Sequence, residues 1–418
     1  MSELRSLRTL TTDGHILLST RITRLFAYGF LSVVLVLYLM QVGLSEKQIG
    51  LLITLTLIGD TAISLWITTN ADWLGRKRML IVGAGLMLFA GVLFALTRDF
   101  WVLLLAATIG VISSSGGEVG PFLPIEQAAL SQITPGAQRT QVFAWYNLVG
   151  SLATALGSLG GGSLAQALQG IGLTPLGSYR VIVVGYAVIG VALGLLFARL
   201  SPAVEAPVTS SPAIRRLQFG LHRSRWVVFK LSALFSLDSF GGGFVMQSII
   251  AYWFYLRFGV EPAVLGSIFF GANILAGISS LLAARIADRI GLVNTMVYTH
   301  IPSNILLILV PLMPNLPLAI TMLLLRFSIS QMDVPTRQSY TMAVVDPDER
   351  SAAAGVTGIA RTTGSALSPV IAGPLLANPA LASLLFFLGG SLKIVYDLLL
   401  WWSFRTIKPP EEMATRKT

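Results

Sequence analysis

The stretch that decides the fold is ADWLGRKR, residues 71–78, a short charged segment between two long apolar runs. The flanking runs cover residues 47–69 and 79–97, and each is long enough to cross a hydrocarbon core of about 30 Å as a helix. Three consecutive basic residues, Arg76, Lys77 and Arg78, end the segment. Arginine and lysine collect in short cytoplasmic loops of membrane proteins. The stretch therefore predicts a helical hairpin in a membrane, with its loop on the cytoplasmic side.

Apolar runs of this kind recur along all 418 residues. The chain is 54% hydrophobic and only 11% charged, with a mean hydropathy of +0.76, which excludes a soluble protein of this size. Backbone amides in lipid must be satisfied within their own segment, so the runs are predicted to be helices rather than open strands. We expect an all-α integral membrane protein with about twelve transmembrane helices. They are numbered here as spans 1–12: 17–42, 47–69, 79–97, 102–132, 140–167, 177–199, 227–256, 262–286, 293–313, 316–344, 351–377 and 381–403. Spans 7 and 10 are long and contain polar residues, so either could be kinked or tilted.

The net charge of +10 is concentrated in alternate loops. Basic residues follow spans 2, 4 and 8 and recur in the hydrophilic stretch 201–226 and in the C-terminal tail, whereas the opposite loops carry little charge. The positive-inside rule then places both termini and the middle loop in the cytoplasm, in a multi-pass protein of the cell (inner or plasma) membrane. Because no nucleic-acid-binding module accompanies the basic residues, no nucleic-acid partner is expected.

Other chemistry has little support in the sequence. The chain has no cysteine, and His15, His222 and His300 are far apart, in predicted loops or near helix ends, so no metal site is expected. No phosphate-binding G-x-x-x-x-G-K-[ST] loop and no nucleophile elbow occurs. We therefore expect neither an enzyme nor a bound cofactor.

The two halves of the chain repeat each other. The Pro- and Ser-containing stretch 201–226 reads as a flexible linker between an N-terminal half, 1–200, and a C-terminal half, 227–418. The sequence PIEQ at 124–127 in span 4 corresponds to PTRQ at 335–338 in span 10, an offset of 211 residues. The segment ADRIG at 287–291 repeats the acid-then-glycine part of the first charged loop. The repeat predicts two bundles of about six helices each.

The first charged loop resembles the signature loop of the major facilitator superfamily of transporters. That pattern is approximately G-x-x-x-D-x-x-G-R-[KR], which Asp72, Gly75, Arg76 and Lys77 match, while Thr68 replaces the leading glycine. The resemblance implies two six-helix bundles that work by alternating access, with a solute cavity lined by spans 1, 4, 7 and 10. It also implies a conformational latch, in which Asp72 stabilises the start of span 11 and Arg76 pairs with an acid in the outward-facing state. Asp288 and Arg289 form the partial second copy of this loop.

The resemblance is incomplete where proton-driven drug antiporters are most distinctive. Span 4 lacks the internal arginine of their L-x-x-x-R-x-x-x-G motif, and in span 5 Ser158 replaces the proline of G-x-x-x-G-P-x-x-G-G. Small residues at this spacing more often indicate close helix packing than antiport chemistry. The direction of transport and its coupling to protons therefore stay open.

An ionisable residue inside a membrane usually faces a partner or a wet cavity. Glu118, among the glycines of span 4, is our main candidate for proton coupling, and Asp333 is the second. Both could instead pair with Arg326 or Arg361. Asp60 belongs to the same set of cavity candidates, and the resemblance also implies a place for it at the interface between the halves.

Two further sets of charges occupy repeat-equivalent positions with opposite sign. For Glu126 and Arg337 we predict an ion pair that closes the cytoplasmic mouth, and the alternative is that each pairs within its own half. Arg24 and Asp238 are equivalent at an offset of 214 residues. Asp238 is expected to have a buried functional role, whereas Arg24 could instead extend to the lipid headgroups.

In span 12, Lys393 and Asp397 are spaced i, i+4 and are expected to neutralise each other.

Together these features predict a secondary active transporter of a small organic solute, with proton-coupled efflux favoured. A proton- or sodium-coupled importer of a sugar or organic acid is the first alternative, and a nutrient sensor on a transporter scaffold is the second. The expected partners are the solute, a proton or other coupling ion, and the lipid bilayer, and the chain is expected to be a monomer.

Overall fold

A computed structural model describes residues 10–134, 139–205, 223–346 and 349–407. The predicted cytoplasmic termini and most of the predicted linker, 206–222, lie outside these ranges. The described residues form helices and turns with no β-strand, and they contain the α-helices α1 Thr12–Ser32, α2 Leu35–Val42, α3 Glu46–Leu74, α4 Arg76–Leu96, α5 Phe100–Ile109, α6 Phe122–Ile133, α7 Arg139–Gly170, α8 Pro175–Ala198, α9 Arg225–Gly243, α10 Gln247–Phe258, α11 Pro262–Ile290, α12 Leu292–Leu309, α13 Leu316–Phe327, α14 Asp333–Ala343, α15 Arg350–Leu376 and α16 Leu384–Phe404.

The lengths and composition of these helices confirm the all-α membrane fold. In the described ranges, eight helices are long and apolar enough to cross a membrane, or nine if α1 and α2 count as one bent span. The other three expected spans fall short for visible reasons. Spans 4 and 10 are each divided into two short helices, and α15 contains Arg361 and two internal prolines. Large apolar side chains such as Leu96 (77% exposed), Trp101 (71%) and Trp402 (72%) lie on the outer surface, as lipid contact requires.

Spans 1, 4, 7 and 10 are all interrupted. The α1–α2 pair bends by 48°, and non-helical residues separate α5 from α6, α9 from α10 and α13 from α14. Span 4 has the longest break, 110–121, where Gly116 (φ +71°) and Gly120 (φ +80°) adopt left-handed conformations that disfavour other residues. The sequence analysis expected kinks only in spans 7 and 10. It placed Glu118 within a helix, which is wrong, because Glu118 lies in the break of span 4.

The contacts within the chain group it into two compact units, which we call unit 1 and unit 2. Unit 1 comprises Met1–Val208 and Met246–Asn273, and unit 2 comprises Thr209–Val245 and Ile274–Thr418. The sequence-based halves follow chain order and put residues 246–273 in the C-terminal half. In the structure these residues belong to unit 1, where the Gln247 amide donates hydrogen bonds to Ser32 (2.9 Å) and Ser158 (3.1 Å).

Within each unit, the first and fifth spans pack at backbone contact. In unit 1, a Cβ atom added at Gly157 would lie 2.0 Å from the Phe26 carbonyl oxygen, so α1 and α7 could not approach as closely with alanine there. In unit 2, a Cβ atom added at Gly364 would lie 2.3 Å from the Ser236 carbonyl oxygen, between α9 and α15. The small residues of spans 5 and 11 therefore serve close helix packing.

The two charged loops share one turn. Gly75 (φ +101°) directly precedes α4 and Gly291 (φ +87°) directly precedes α12. Both positions need a backbone conformation that L-residues rarely adopt, which explains the repeated glycine.

Candidate functional site

A buried cluster of charges in unit 1 joins spans 1, 4 and 5. Arg24 on α1 donates to both oxygens of Glu126 on α6, from Nη1 at 2.7 Å and from Nη2 at 2.9 Å, and both side chains are fully buried. Thr20 (2.8 Å) and Tyr146 also donate their hydroxyls to Glu126. Four donors therefore hold the Glu126 carboxylate. Arg24 is buried among these partners. The alternative interpretation, in which Arg24 extends to the lipid headgroups, is therefore wrong.

Glu118 extends the same cluster from the break of span 4. Its Oε1 accepts a hydrogen bond from Arg24 Nη2 at 2.9 Å and also contacts the Arg21 guanidinium. Its Oε2 is buried and has no hydrogen-bond partner, although the side chain as a whole is 19% exposed. Glu118 is thus the carboxylate of this cluster that keeps one oxygen available.

Asp60 on α3 has a structural role in unit 1. Its Oδ1 accepts hydrogen bonds from the backbone N–H of Gly120 at 2.7 Å and from the Ser64 hydroxyl at 3.3 Å. The break of span 4 leaves backbone amides without helical partners, and a carboxylate satisfies one of them here.

A second buried cluster, in unit 2, joins spans 7, 10 and 12. Arg337 on α14 donates from Nη1 to Asp238 on α9 at 3.1 Å and to Asp333 at 3.0 Å. Lys393 on α16 donates to the other oxygen of Asp238 at 2.6 Å. Asp238 therefore has the buried environment that the sequence analysis expected.

His300 on α12 continues this cluster into span 9. Nδ1 of His300 lies 2.9 Å from Asp397 Oδ1, and its Nε2 lies 3.8 Å from Asp238 Oδ1. Asn304 also donates to Asp397 at 3.3 Å. The predicted pair of Lys393 with Asp397 is wrong, because each turns to a different neighbouring helix. The placement of His300 in a loop or at a helix end is also wrong: it lies inside α12 and is buried.

The two clusters contain the same ion pair with reversed polarity. In unit 1 the cation (Arg24) is on the first span and the acid (Glu126) is on the fourth, whereas in unit 2 the acid (Asp238) is on the first and the cation (Arg337) is on the fourth. The sequence had already identified these residues as repeat-equivalent. Each finds its partner inside its own unit, as the alternative interpretation allowed, so the gate pair of Glu126 with Arg337 stays a prediction.

Arg326 and Arg361 differ from the paired cations of the two clusters. Arg326 lies in the last turn of α13 and is 9% exposed, and Arg361 is half-buried in the middle of α15. Neither guanidinium forms an ion pair or a hydrogen bond with any described residue, and the Nε atom of each is buried without a partner. Both lie within electrostatic reach of Asp238 and Asp333.

The signature loop is fixed to the segment that follows α8. Glu205 accepts hydrogen bonds from the backbone amides of Arg76 (2.6 Å) and Lys77 (3.2 Å), and so caps the start of α4. The Arg76 side chain donates to Gln132 at 2.8 Å. The side chains of Asp72 and Asp288 lie outside the described part, and Arg289 is exposed. The latch stays a prediction.

Comparisons with known proteins agree with this architecture. A sequence profile of the Major Facilitator Superfamily matches residues 17–369. The chain is 32% identical over 417 residues to the uncharacterized membrane protein YJR124C of Saccharomyces cerevisiae, covering 93% of each. It is 29% identical over 138 residues to the quinolone resistance protein NorA of Staphylococcus aureus, covering 33% of this chain and 34% of that protein.

Solved structures give the same result at the level of the fold. The structure of a bacterial homologue of the human lysosomal transporter Spinster superposes with a TM-score of 0.69 at 16% identity and covers 94% of both chains. The profile match over most of the chain, the interrupted helical spans and this structural likeness establish that the protein belongs to the Major Facilitator Superfamily of membrane transporters.

Proposed function

We propose that the protein is a proton-coupled secondary transporter that exports a small organic solute, with Glu118 as the coupling acid. The observation that carries this proposal is the buried and unpartnered Oε2 of Glu118, beside an Oε1 that two arginines hold. A proton can bind at Oε2 without breaking the contacts at Oε1.

The effect of that proton follows from the charges of the cluster. Arg21 and Arg24 balance Glu118 and Glu126 when both acids are ionised. Protonation of Glu118 leaves one uncompensated positive charge in a site of low dielectric constant, where it favours rearrangement or the approach of a counter-charge. Glu126 is the poorer candidate, because four donors occupy its two oxygens.

Export is proposed over import because of the partial similarity to a protein named for quinolone resistance. The distribution of basic loops supports a cell-membrane location with both termini in the cytoplasm. Proton- or sodium-coupled import of a sugar or organic acid is the alternative.

The test is solute flux in proteoliposomes with an imposed pH gradient, comparing the wild type with Glu118→Gln. The solutes are a quinolone, a nucleoside and benzoate. Glu261→Gln is the matched control, since Glu261 is an exposed carboxylate that directly precedes α11, accepts a hydrogen bond from Gln166 and lies outside the charge cluster. We expect the gradient to drive at least one solute against the proton flow in the wild type and in the control. We expect Glu118→Gln to lose gradient-driven flux but to retain solute exchange.

Three other results would contradict parts of the proposal. Flux in the same direction as the protons would replace export by import. Flux that responds to the gradient equally in the wild type and in Glu118→Gln would remove Glu118 from its role. Flux that ignores the gradient in every protein would overturn proton coupling itself.

A further inference from the structure

In the unit 2 cluster the cations outnumber the acids. Its acids are Asp238, Asp333 and Asp397, whereas its cations are the buried Arg337, Lys393 and Arg326 and the half-buried Arg361. Glu349, a further buried carboxylate of unit 2, lies outside the cluster and accepts hydrogen bonds from backbone amides of residues 223 and 224. Asp397 is already occupied by His300 and Asn304. One cationic charge is therefore in excess with His300 neutral, and two if it is protonated. The unit 1 cluster has no such excess, since two arginines face two glutamates there.

The excess is located on Arg326 and Arg361. Arg337 and Lys393 are held by Asp238 and Asp333 at 2.6–3.1 Å, whereas the other two guanidiniums have no acid partner in the described ranges. An uncompensated buried charge costs several kcal/mol. A cluster that retains an excess positive charge of this kind has a use for an added anion.

The free N–H groups of these two arginines indicate an anion with two oxygen atoms in one plane. In each, the Nε atom is buried and free, and Nε with its neighbouring Nη forms the planar fork that matches two oxygens of one group. The Arg326 guanidinium lies over the Phe327 ring at 4.9 Å, which orients the planar group through its face and leaves its N–H edges available.

We propose that Arg326 and Arg361 bind the carboxylate of an organic anion, and that this anion is the transported solute. The proposal specifies the substrate class of the proposed transport function and so rests on it. A single carboxylate carries one negative charge and matches the excess with His300 neutral. A doubly charged phosphate would exceed the excess while His300 is neutral.

The test uses matched pairs of probes that differ only in charge: benzoate with benzamide, and nicotinate with nicotinamide. Thermal unfolding of the purified full-length protein in detergent is followed at increasing probe concentration. We compare the wild type, Arg326→Gln, Arg361→Gln and the control Arg405→Gln, whose arginine is exposed at the end of α16. We expect the carboxylates to stabilise the wild type and the control more than the amides do. Each of the two test substitutions should weaken the apparent carboxylate affinity about tenfold or more.

Arg361→Lys separates a loss of folding from a loss of binding. It retains the charge but not the planar fork, so part of the carboxylate response should return. Carboxylate stabilisation that is equal in all the variants, or no stabilisation beyond that of the amides in the wild type, would overturn the proposal.

The failure of this inference can be told apart from the failure of the proposed function. Proton-driven flux of a neutral solute that neither arginine affects would leave the transport proposal standing and remove the anion site. Carboxylate binding that depends on both arginines, without any proton-driven flux, would leave the anion site standing and remove the transport proposal.

Discussion

The buried pair of Arg24 with Glu126 should be one of the strongest single contributions to the stability of unit 1. Both side chains are fully buried, and the two hydrogen bonds measure 2.7 and 2.9 Å. Removing one partner of a buried pair typically costs about 3–5 kcal/mol, because the other charge stays behind uncompensated. The residual partners decide where in this range each variant falls.

The two single substitutions should be unequal. Arg24→Gln leaves the Glu126 carboxylate with only the hydroxyls of Thr20 and Tyr146, so a loss near the upper limit, about 5 kcal/mol, is expected. Glu126→Gln leaves Arg24 its contact with Glu118 at 2.9 Å, so a loss near about 3 kcal/mol is expected. The double variant restores the charge balance, because Arg21 and Glu118 still match. Its loss should therefore be at least about 2 kcal/mol smaller than the sum of the single losses.

The assay is the free energy of unfolding in detergent micelles, measured by denaturant titration and tryptophan fluorescence for the wild type, both single variants and the double variant. Arg405→Gln serves as the control and should stay within about 0.5 kcal/mol of the wild type, since the side chain is exposed. A loss below about 1 kcal/mol for Arg24→Gln, or single losses that add within about 0.5 kcal/mol, would refute the ion pair as the source of stability.

Three further predictions follow from the same structure. In the absence of a ligand, Arg361→Gln should raise the thermal unfolding temperature, because it removes part of the excess positive charge. Arg337→Gln should lower it, because Asp333 loses its ion-pair partner and Asp238 keeps only Lys393; thermal scans of both variants check the sign. Gly75→Ala should cost about 1–2 kcal/mol of unfolding free energy because of its φ of +101°, while Gly85→Ala, in open space within α4, should cost nothing in the same titration. His300→Asn should lose about 1–3 kcal/mol in that titration, because it takes a donor from a buried carboxylate on α16.

Sequence patterns predicted what depends on local chemistry. Hydropathy gave the all-helical membrane fold, since run length and composition alone decide whether a helix can cross a bilayer. The acid-then-glycine repeat correctly marked Gly75 and Gly291, because a positive φ is a property of one residue and needs no knowledge of its neighbours. The break at 110–121 also had a local signal in Gly116, Gly120 and Pro121. The length of the apolar run nevertheless led to the prediction of one continuous span there.

Partner choice could not be predicted in this way. The i, i+4 spacing of Lys393 and Asp397 places both on one side of α16. That helix, however, packs against both α9 and α12, and each of these offers a stronger partner, Asp238 or His300. His300 itself lay within the predicted span 9 and could have been counted among the intramembrane polar residues. The opposite signs at repeat-equivalent positions fitted pairing within a half as well as pairing between halves, and only the structure locates the partners.

The reversed polarity of the two ion pairs separates structural from functional charges. A pair that ties an interrupted fourth span to the first span works equally well with either sign, so the repeat can keep the pair and exchange its charges. Binding a proton or an anion, in contrast, requires one particular sign.

The residues proposed here for those two tasks have no charged equivalent at the offset of 211 residues. Glu118 corresponds to Ile329, Arg326 to Ser115 and Arg361 to Gly150. A buried charge that breaks the repeat needs a reason of its own. Asp60, equivalent to Gly271, satisfies a backbone amide in the break of span 4, whereas for the three residues above we propose a functional reason. In these proposals the coupling acid lies in unit 1 and the anion site lies in unit 2. Glu118→Gln should therefore still be stabilised by carboxylates in thermal unfolding. If this variant lost both gradient-driven flux and carboxylate stabilisation, the assignment of the two tasks to different units would be wrong.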